Sequence, residues 1–192
     1  AEPTQVGAAF TRLGAPAAVV KGLTAGAAHK SELGLVRLGQ SSAAEAGAAA
    51  EAIRQSATKH GLTLAGYLVA PMVRGLREVL LGAHIDPVYG PVVVIGAGGV
   101  YVEALDDTRV LLAPCTADEV REAIADLRIA PLLGPVRDEP ASDVEARRKA
   151  IVRASEAIAD PASPVAGFDA NPIILLPAGE GCVAVDALVL SH

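Results

Sequence analysis

Three oxygen-bearing side chains near the end of the chain have the types and spacing of a cation site. Asp169 and Asn171 precede an apolar run that starts at Ile173, and Asp186 lies inside a second apolar run. If the two runs pair as a hairpin across a turn at 177–181, the 169–171 end of the first strand lies near the far end of the second. Carboxylate and amide oxygens suit a hard cation, yet they also form ordinary hydrogen-bond networks beside buried strands. This stretch alone favours the hydrogen-bond network.

A glycine cluster, Gly-Ala-Gly-Gly at residues 96–99, follows the apolar stretch PVVVI. Glycines after a strand let backbone N–H groups approach a phosphate, but they also make ordinary strand-to-turn connections. Tyr101 occupies the position of the third glycine of the dinucleotide pattern, and no Gly-Lys-Ser/Thr sequence is present. The sequence therefore excludes a Rossmann site and a P-loop.

Several charged residues could take part in phosphate chemistry, and each also has an ordinary structural explanation. Lys21 ends a predicted strand, where a lysine either extends to solvent or contacts a phosphate. His29 and Lys30 share a polar loop with Ser31 and Glu32. A neutral imidazole can accept a phosphoryl group, although most such loops are simply solvated.

Two further charges stand among predicted strand residues. Glu78 lies in LREVLLG, and Arg109 lies in DDTRVLLAP. On an exposed face neither charge needs an explanation, whereas in a cleft Glu78 could bind a ribose hydroxyl. Arg109 has the same ambiguity.

The elements that would position these residues alternate irregularly between helix and strand. A helix is predicted over residues 4–13, and Ser/Thr-x-x-Glu capping boxes at Ser42, Thr116 and Ser142 predict three more. Short hairpin-like links dominate, which favours an α+β fold over a doubly wound parallel sheet. The Pro- and Gly-rich segment 133–141 is the only linker-like stretch. Strands are predicted at 17–22, 35–38, 64–70, 76–84, 91–95, 109–113, 173–176 and 182–190.

Composition argues against several classes of function. The chain has 192 residues and is 52% hydrophobic, much of it alanine, which suits close helix packing. Three Tyr, two Phe and no Trp, with a net charge of −6 and no basic block, argue against nucleic-acid binding. Two cysteines suggest a reducing cytoplasm, and neither a membrane span nor a signal peptide is predicted. Because the chain starts without Met, it is expected to be part of a larger polypeptide.

The order of the motifs is more informative than any one of them. VVKG, AAHKSELGLV, REVLLGAHIDPVYGPVVVIGAGGVYVEAL, LLAP, FDANPI and VDALV follow one another from about Ala17 to the C-terminus. In this order they resemble the ATP-grasp domain of ADP-forming acyl-CoA synthetases, related to the succinyl-CoA synthetase β subunit. The resemblance implies an α+β ATP-grasp fold with two subdomains around a nucleotide cleft. The smaller is expected over residues 1–70, without the usual first strand and helix, and the larger, with the Mg²⁺–nucleotide site, over 71–192.

The resemblance also implies site residues and cofactors. Asn171 and Asp186 match the positions that hold Mg²⁺ in this family, with Asp169 where a carboxylate often precedes. His29 matches a relay histidine that would accept phosphate from a histidine of a CoA-binding domain or subunit and pass it to ADP. The residues implied to contact ATP or ADP are Lys21, Ala28, His29, Lys30 and Glu78.

The implied activity is that of an ADP-forming acid–CoA ligase, which links an acid, CoA and ATP to acyl-CoA, ADP and phosphate. Without CoA-binding domains, this chain is not expected to complete that reaction by itself. The alternative is a regulatory ATP-grasp-like module fused to a GNAT protein acetyltransferase. The set of charged site residues favours the ligase. Ala70 and Pro71 favour regulation, because the family usually has glutamine or glutamate at this hinge.

Overall fold

The structure, a computed structural model, describes residues 3–24, 30–99 and 106–192. The chain divides into two compact units, Ala1–Met72 and Val73–His192, named here the N-terminal and C-terminal units. None of the helices formed by the described residues is long and apolar enough to cross a membrane.

The described part of the N-terminal unit contains two helices and a three-stranded antiparallel sheet. The strand order is β2-β1-β3, so β1 is hydrogen-bonded on both sides. Ser42 caps the second helix, as predicted, by accepting a hydrogen bond from the Glu45 backbone N–H. The elements are α1 (Pro3–Leu13), β1 (Ala18–Leu23), β2 (Val36–Gln40), α2 (Ala43–Lys59) and β3 (Gly66–Pro71).

Small side chains let α1 and α2 pack closely. A Cβ atom at Gly7 of α1 would lie 2.8 Å from the carbonyl oxygen of Ala43, so glycine is required for this approach. The close helix packing predicted from the alanine content is therefore present in this unit. The buried residues of α2 recur at helical spacing and form one face, Ala46, Ala49, Ala50, Ile53 and Ala57.

The described part of the C-terminal unit contains a six-stranded antiparallel sheet and three helices. The strand order is β6-β5-β4-β7-β8, and β9 also pairs with β7. Antiparallel pairing throughout confirms the α+β class. The elements are β4 (Arg77–Asp86), β5 (Gly90–Ala97), β6 (Thr108–Leu112), α3 (Ala117–Ala125), α4 (Ala130–Leu133), α5 (Val144–Ala159), β7 (Val165–Leu175), β8 (Cys182–Ala184) and β9 (Ala187–Ser191).

One face of this sheet carries the core of the C-terminal unit. Val79 and Leu81 of β4 pack with Ile95 of β5 and with buried residues of α3 and α5 such as Val120 and Ile151. Because side chains alternate along a strand, the residues between these core positions point to the opposite face. The helices thus cover one side of the sheet, and the other side is available for site residues.

The last predicted hairpin is present, but both of its strands differ from the prediction. The first strand is longer, because β7 begins at Val165 and continues through Pro172. The second is interrupted at residues 185–186, which separates β8 from β9. Pro172 is tolerated because the register between β4 and β7 shifts there: Leu81 pairs with Ala170 and Val79 with Ile173. The bulge removes the need for a proline N–H in the ladder.

One predicted helix start in the C-terminal unit is wrong. The cap of α5 is Asp143, whose carboxylate accepts the Ala146 backbone N–H, and not Ser142. The linker-like segment 133–141 lies inside the C-terminal unit. Arg77 fastens it by donating hydrogen bonds to the Leu132 carbonyl at 2.9 Å and the Glu139 carboxylate at 2.7 Å.

Candidate functional site

The two strands that carry the acidic residues meet in the C-terminal unit. Asp169 of β7 pairs with Leu188 of β9, and Ile173 pairs with Ala184 of β8, so the 185–186 break lies across from the Asn171–Pro172 bulge. The Val185 backbone N–H donates to the Pro172 carbonyl oxygen at 3.1 Å. Asp186 therefore lies in the break between β8 and β9, across from the bulge in β7.

Asp169 and Asp186 interact electrostatically. Partial burial raises the pKa of Asp169 above its ordinary value, and the negative charge of Asp186 raises it further. A second carboxylate beside the partly buried Asp169 carboxyl group provides a place where a cation is favourable. This pair of acidic groups goes beyond the hydrogen-bond network that the stretch alone suggested.

The glycine cluster connects Asn171 to Glu78. Gly98 N–H donates to the backbone oxygen of Glu78 at 2.9 Å, and Gly99 N–H donates to the Asn171 Oδ1 at 3.1 Å. A Cβ atom at Gly99 would overlap the Glu78 carboxylate, and one at Gly98 would lie 2.5 Å from the Val79 backbone. These glycines therefore allow the loop to pack against the start of β4. The contacts bring two of the predicted site residues, Glu78 and Asn171, to the same loop.

The oxygen donors in this region are of the kind that Mg²⁺ prefers. Within residues 3–24, 30–99 and 106–192, no group of three or more His, Cys, Asp or Glu side chains is arranged to hold a metal ion. The Asn171 Oδ1 keeps a second lone pair after accepting from Gly99. Mg²⁺ commonly takes one or two carboxylates and completes its shell with water and substrate phosphates. The residues present fit that pattern.

The predicted cations belong to the N-terminal unit. Lys21 lies near the end of the central strand β1, where it pairs with Leu68 and Val36. The backbone of Leu35 connects this strand end to Lys30, because its N–H donates to the Lys30 oxygen and its carbonyl accepts the Gly22 N–H. Lys21 and Lys30 are thus held by one backbone network. Ala28 and His29 lie outside the described residues.

Arg109 has a structural role. Its guanidinium donates to the backbone oxygens of Thr108 at 2.8 Å and Asp126 at 2.5 Å, which joins β6 to the end of α3. The ambiguity in the sequence is resolved towards the ordinary explanation.

The contact between Gly99 and Asn171 was not predicted from the sequence. The glycine cluster and the Asn-Pro pair were both recognised, but they are 72 positions apart in the chain. A glycine immediately after a strand was the available signal, and it did not identify a partner.

Comparisons with known proteins agree with this arrangement. A family model described as the ATP-grasp domain matches residues 1–190. The chain is 32% identical to the β subunit of ADP-forming acetate–CoA ligase II of Pyrococcus furiosus, over 84% of this chain and 70% of that one. It is 34% identical to the ADP-forming 4-hydroxybutyrate–CoA ligase of Nitrosopumilus maritimus over 84% of this chain, but it spans only 23% of that ligase.

The fold is also similar to a solved structure. Dinucleotide-forming acetyl-coenzyme A synthetase 1 of Ca. Korarchaeum cryptofilum, in complex with coenzyme A, Ca-AMPCP and HgCl⁺, has a TM-score of 0.90 and 27% sequence identity. The match covers 100% of this chain and 82% of that one. On the extent of the family match and the similarity to the Pyrococcus β subunit, this chain belongs to the ATP-grasp family, alongside the ATP-grasp parts of ADP-forming acyl-CoA synthetases.

Proposed function

We propose that this chain is the nucleotide-binding part of an ADP-forming acyl-CoA synthetase. The observation that carries the proposal is the contact of Gly99 with Glu78 and Asn171, across from the strand break that contains Asp186, in a chain that belongs to the ATP-grasp family. The similar synthetase in complex with coenzyme A and Ca-AMPCP supports a nucleotide with a divalent cation as the ligand.

In this proposal the metal is Mg²⁺ and its protein ligands are Asn171 and Asp186. Bound there, Mg²⁺ would supply positive charge that offsets the negative charge of the nucleotide phosphates during phosphoryl transfer. Asn171 is oriented for this role because Gly99 holds its amide oxygen. Glu78, held against the same glycine, would accept hydrogen bonds from the nucleotide sugar.

The N-terminal unit would supply cations and a phosphate carrier. Lys21 and Lys30, together with the backbone at Ala28, would contact the nucleotide phosphates. His29 would accept a phosphoryl group from a histidine of a CoA-binding partner. With a proton on the other ring nitrogen of phosphorylated His29, the P–N bond would then break as a terminal oxygen of ADP forms the new P–O bond, which yields ATP and neutral imidazole.

The complete reaction requires a CoA-binding domain or subunit, which we propose as the partner. The two free cysteines, Cys115 and Cys182, fit a reducing cytoplasm.

The relatives described above are ligases, which favours the ligase over a regulatory module fused to an acetyltransferase. Ala70 and Pro71, the residues behind the regulatory alternative, form the end of β3 and pair with β1.

The test is calorimetric binding of ADP to the intact protein, with Mg²⁺ and with a chelator. Asp186→Asn is expected to weaken Mg-ADP binding on the order of 10-fold or more, because an anionic metal ligand is lost. ADP binding in the chelator should change little. Asp138→Asn, the same substitution at an exposed position, is the matched control and should bind as the wild type does. Equal Mg-ADP affinities for Asp186→Asn and the control would contradict the metal assignment.

A further inference from the structure

The N-terminus of α5 is hydrogen-bonded to the turn of the β7–β8 hairpin, which precedes the proposed metal ligand Asp186. The turn, residues 177–181, links β7 to β8. The carboxylate of Asp143 accepts the Ala146 N–H at 2.9 Å with one oxygen, and the Gly179 and Gly181 N–H groups at 3.0 and 2.8 Å with the other. One side chain therefore caps a helix and holds the turn at the same time.

Backbone contacts reinforce this junction. The Asp143 N–H donates to the Leu176 carbonyl at 2.8 Å, and the Ala178 N–H donates to the Ala141 carbonyl at 2.9 Å. Asp143 is only 8% exposed. Its hydrogen bonds to Ala146 and the turn hold the pKa of the carboxyl below its ordinary value, so it is ionised at neutral pH.

The strand that follows the turn is short, and its start is also held by the Leu176 N–H, which donates to the Gly181 carbonyl at 3.1 Å. β8 has three residues, paired from Leu175–Cys182 to Ile173–Ala184, and two of them, Val183 and Ala184, are exposed. Strand register is normally set by burial of one face and by turn geometry. Because β8 buries little of its surface, the geometry of the turn contributes more than burial to its register.

Two strand pairs flank Asp186 and set its position: Ala184 of β8 with Ile173, and Ala187 of β9 with Ala170. The break that contains Asp186 begins directly after Ala184, and the Val185 N–H bond to Pro172 is the next backbone contact. A slip of one residue would move the Asp186 carboxylate away from Asn171 and change the face to which it points.

We propose that Asp143 is a positioning residue for the metal site: by holding the 177–181 turn, it fixes the register that brings Asp186 to Asn171. This inference rests on the proposed function, because it gives Asp186 the role of a metal ligand. Asp143 itself contacts neither metal nor nucleotide.

The experiment uses substitutions that keep the hydrogen bond of the helix cap but remove the acceptor for the N–H groups of the turn. Asp143→Asn keeps one oxygen for the Ala146 N–H, but places an NH₂ group where Gly179 and Gly181 require an acceptor. Asp143→Ser also keeps a capping oxygen and lacks the second acceptor, so it serves if the Asn variant does not fold. Thr116→Ala removes the cap of α3, whose hydrogen bonds stay within residues 116–119, and controls for general loss of stability.

ADP binding to the intact protein is measured with Mg²⁺ and with a chelator. Asp143→Asn and Asp143→Ser are expected to weaken Mg-ADP binding on the order of 10-fold, as for other groups that orient metal ligands. Their ADP affinity in the chelator should remain that of the wild type, and Thr116→Ala should match the wild type in both conditions. A purely structural role would not separate the two conditions.

A double-mutant comparison then tests whether the effect passes through Asp186. In an Asp186→Asn background, the Asp143 substitution should have little further effect on Mg-ADP affinity. Wild-type affinity in both Asp143 variants, or full additivity with Asp186→Asn, overturns the positioning role and leaves the proposed function intact. If Mg²⁺ does not strengthen ADP binding to the wild type, or Asp186→Asn has no effect, both proposals are wrong.

Discussion

The capping side chains of α3 and α5 both accept hydrogen bonds from backbone N–H groups at the start of their helix. They differ in how far along the chain their other hydrogen-bond partners lie. At α3, the Thr116 hydroxyl accepts the Glu119 N–H and the Glu119 carboxylate accepts the Thr116 N–H, which closes a box within four residues. At α5, Asp143 accepts one N–H of its own helix and two of a turn 36 and 38 positions away. The first cap stabilises a helix, whereas the second stabilises the relation between two elements. A change at the second is therefore expected to have the larger consequences.

The largest expected effect is that of Asp143→Ala on stability. Three backbone N–H groups lose a charged acceptor, and two of them lie outside the helix. We expect the free energy of unfolding to fall by about 3 kcal/mol at neutral pH, measured by urea denaturation. A loss no greater than that of an ordinary cap substitution would remove the distinction between the two helices.

The pH dependence provides the control for that prediction. The pKa of Asp143 is lower in the folded protein, so its contribution is present above the unfolded-state pKa and is lost as pH falls through the folded-state pKa. The difference between wild type and Asp143→Ala should be constant above about pH 5 and should shrink below about pH 4. A difference that grows on acidification would contradict the role of the ionised carboxylate.

An intermediate effect is expected for Thr116→Ala. The substitution removes the side-chain acceptor at the start of α3 and leaves the other contacts of that helix in place. The expected loss is about 1 kcal/mol, the usual value for a helix cap, again by urea denaturation. A loss as large as that of Asp143→Ala would show that the α3 cap is not merely local.

The smallest effect is expected at Ser142, the residue that the capping pattern had indicated for α5. Its side chain is 4% exposed, and its Oγ has no hydrogen-bond partner among the described residues. Ser142→Ala should change the free energy of unfolding by less than about 0.5 kcal/mol, since no side-chain bond is lost. A loss of 1 kcal/mol or more would return the capping role to Ser142.

The sequence predicted the parts of the fold that depend on local rules. The α2 and α3 caps follow the Ser/Thr-x-x-Glu pattern, and the antiparallel strands follow from short links between apolar runs. The cap of α5 was assigned one residue too early, because Asp143 and Ser142 are both good capping residues. What separates them is the turn at 177–181, which a local pattern does not include.

In the candidate site, too, some features follow from local sequence patterns and others depend on long-range pairing. Asn171 and Asp186 were singled out through resemblance, and the pairing of the segments that carry them follows from the predicted hairpin. The Gly99–Asn171 bond and the 185–186 break depend on the pairing of β4 with β7 and on the bulge at Pro172. Long-range pairing of this kind leaves no periodic signal in either segment.

Strand β9 has a practical consequence for work with this chain. Leu188, Val189 and Leu190 are 58%, 62% and 54% exposed, and within the described ranges β9 has β7 as its strand partner on one side only. An exposed apolar strand edge is a template for pairing with a strand of another molecule. At high concentration, self-association through β9 would lower the concentration of free protein and distort measured affinities. The substitution Val189→Lys would place a charge on this strand and oppose such pairing.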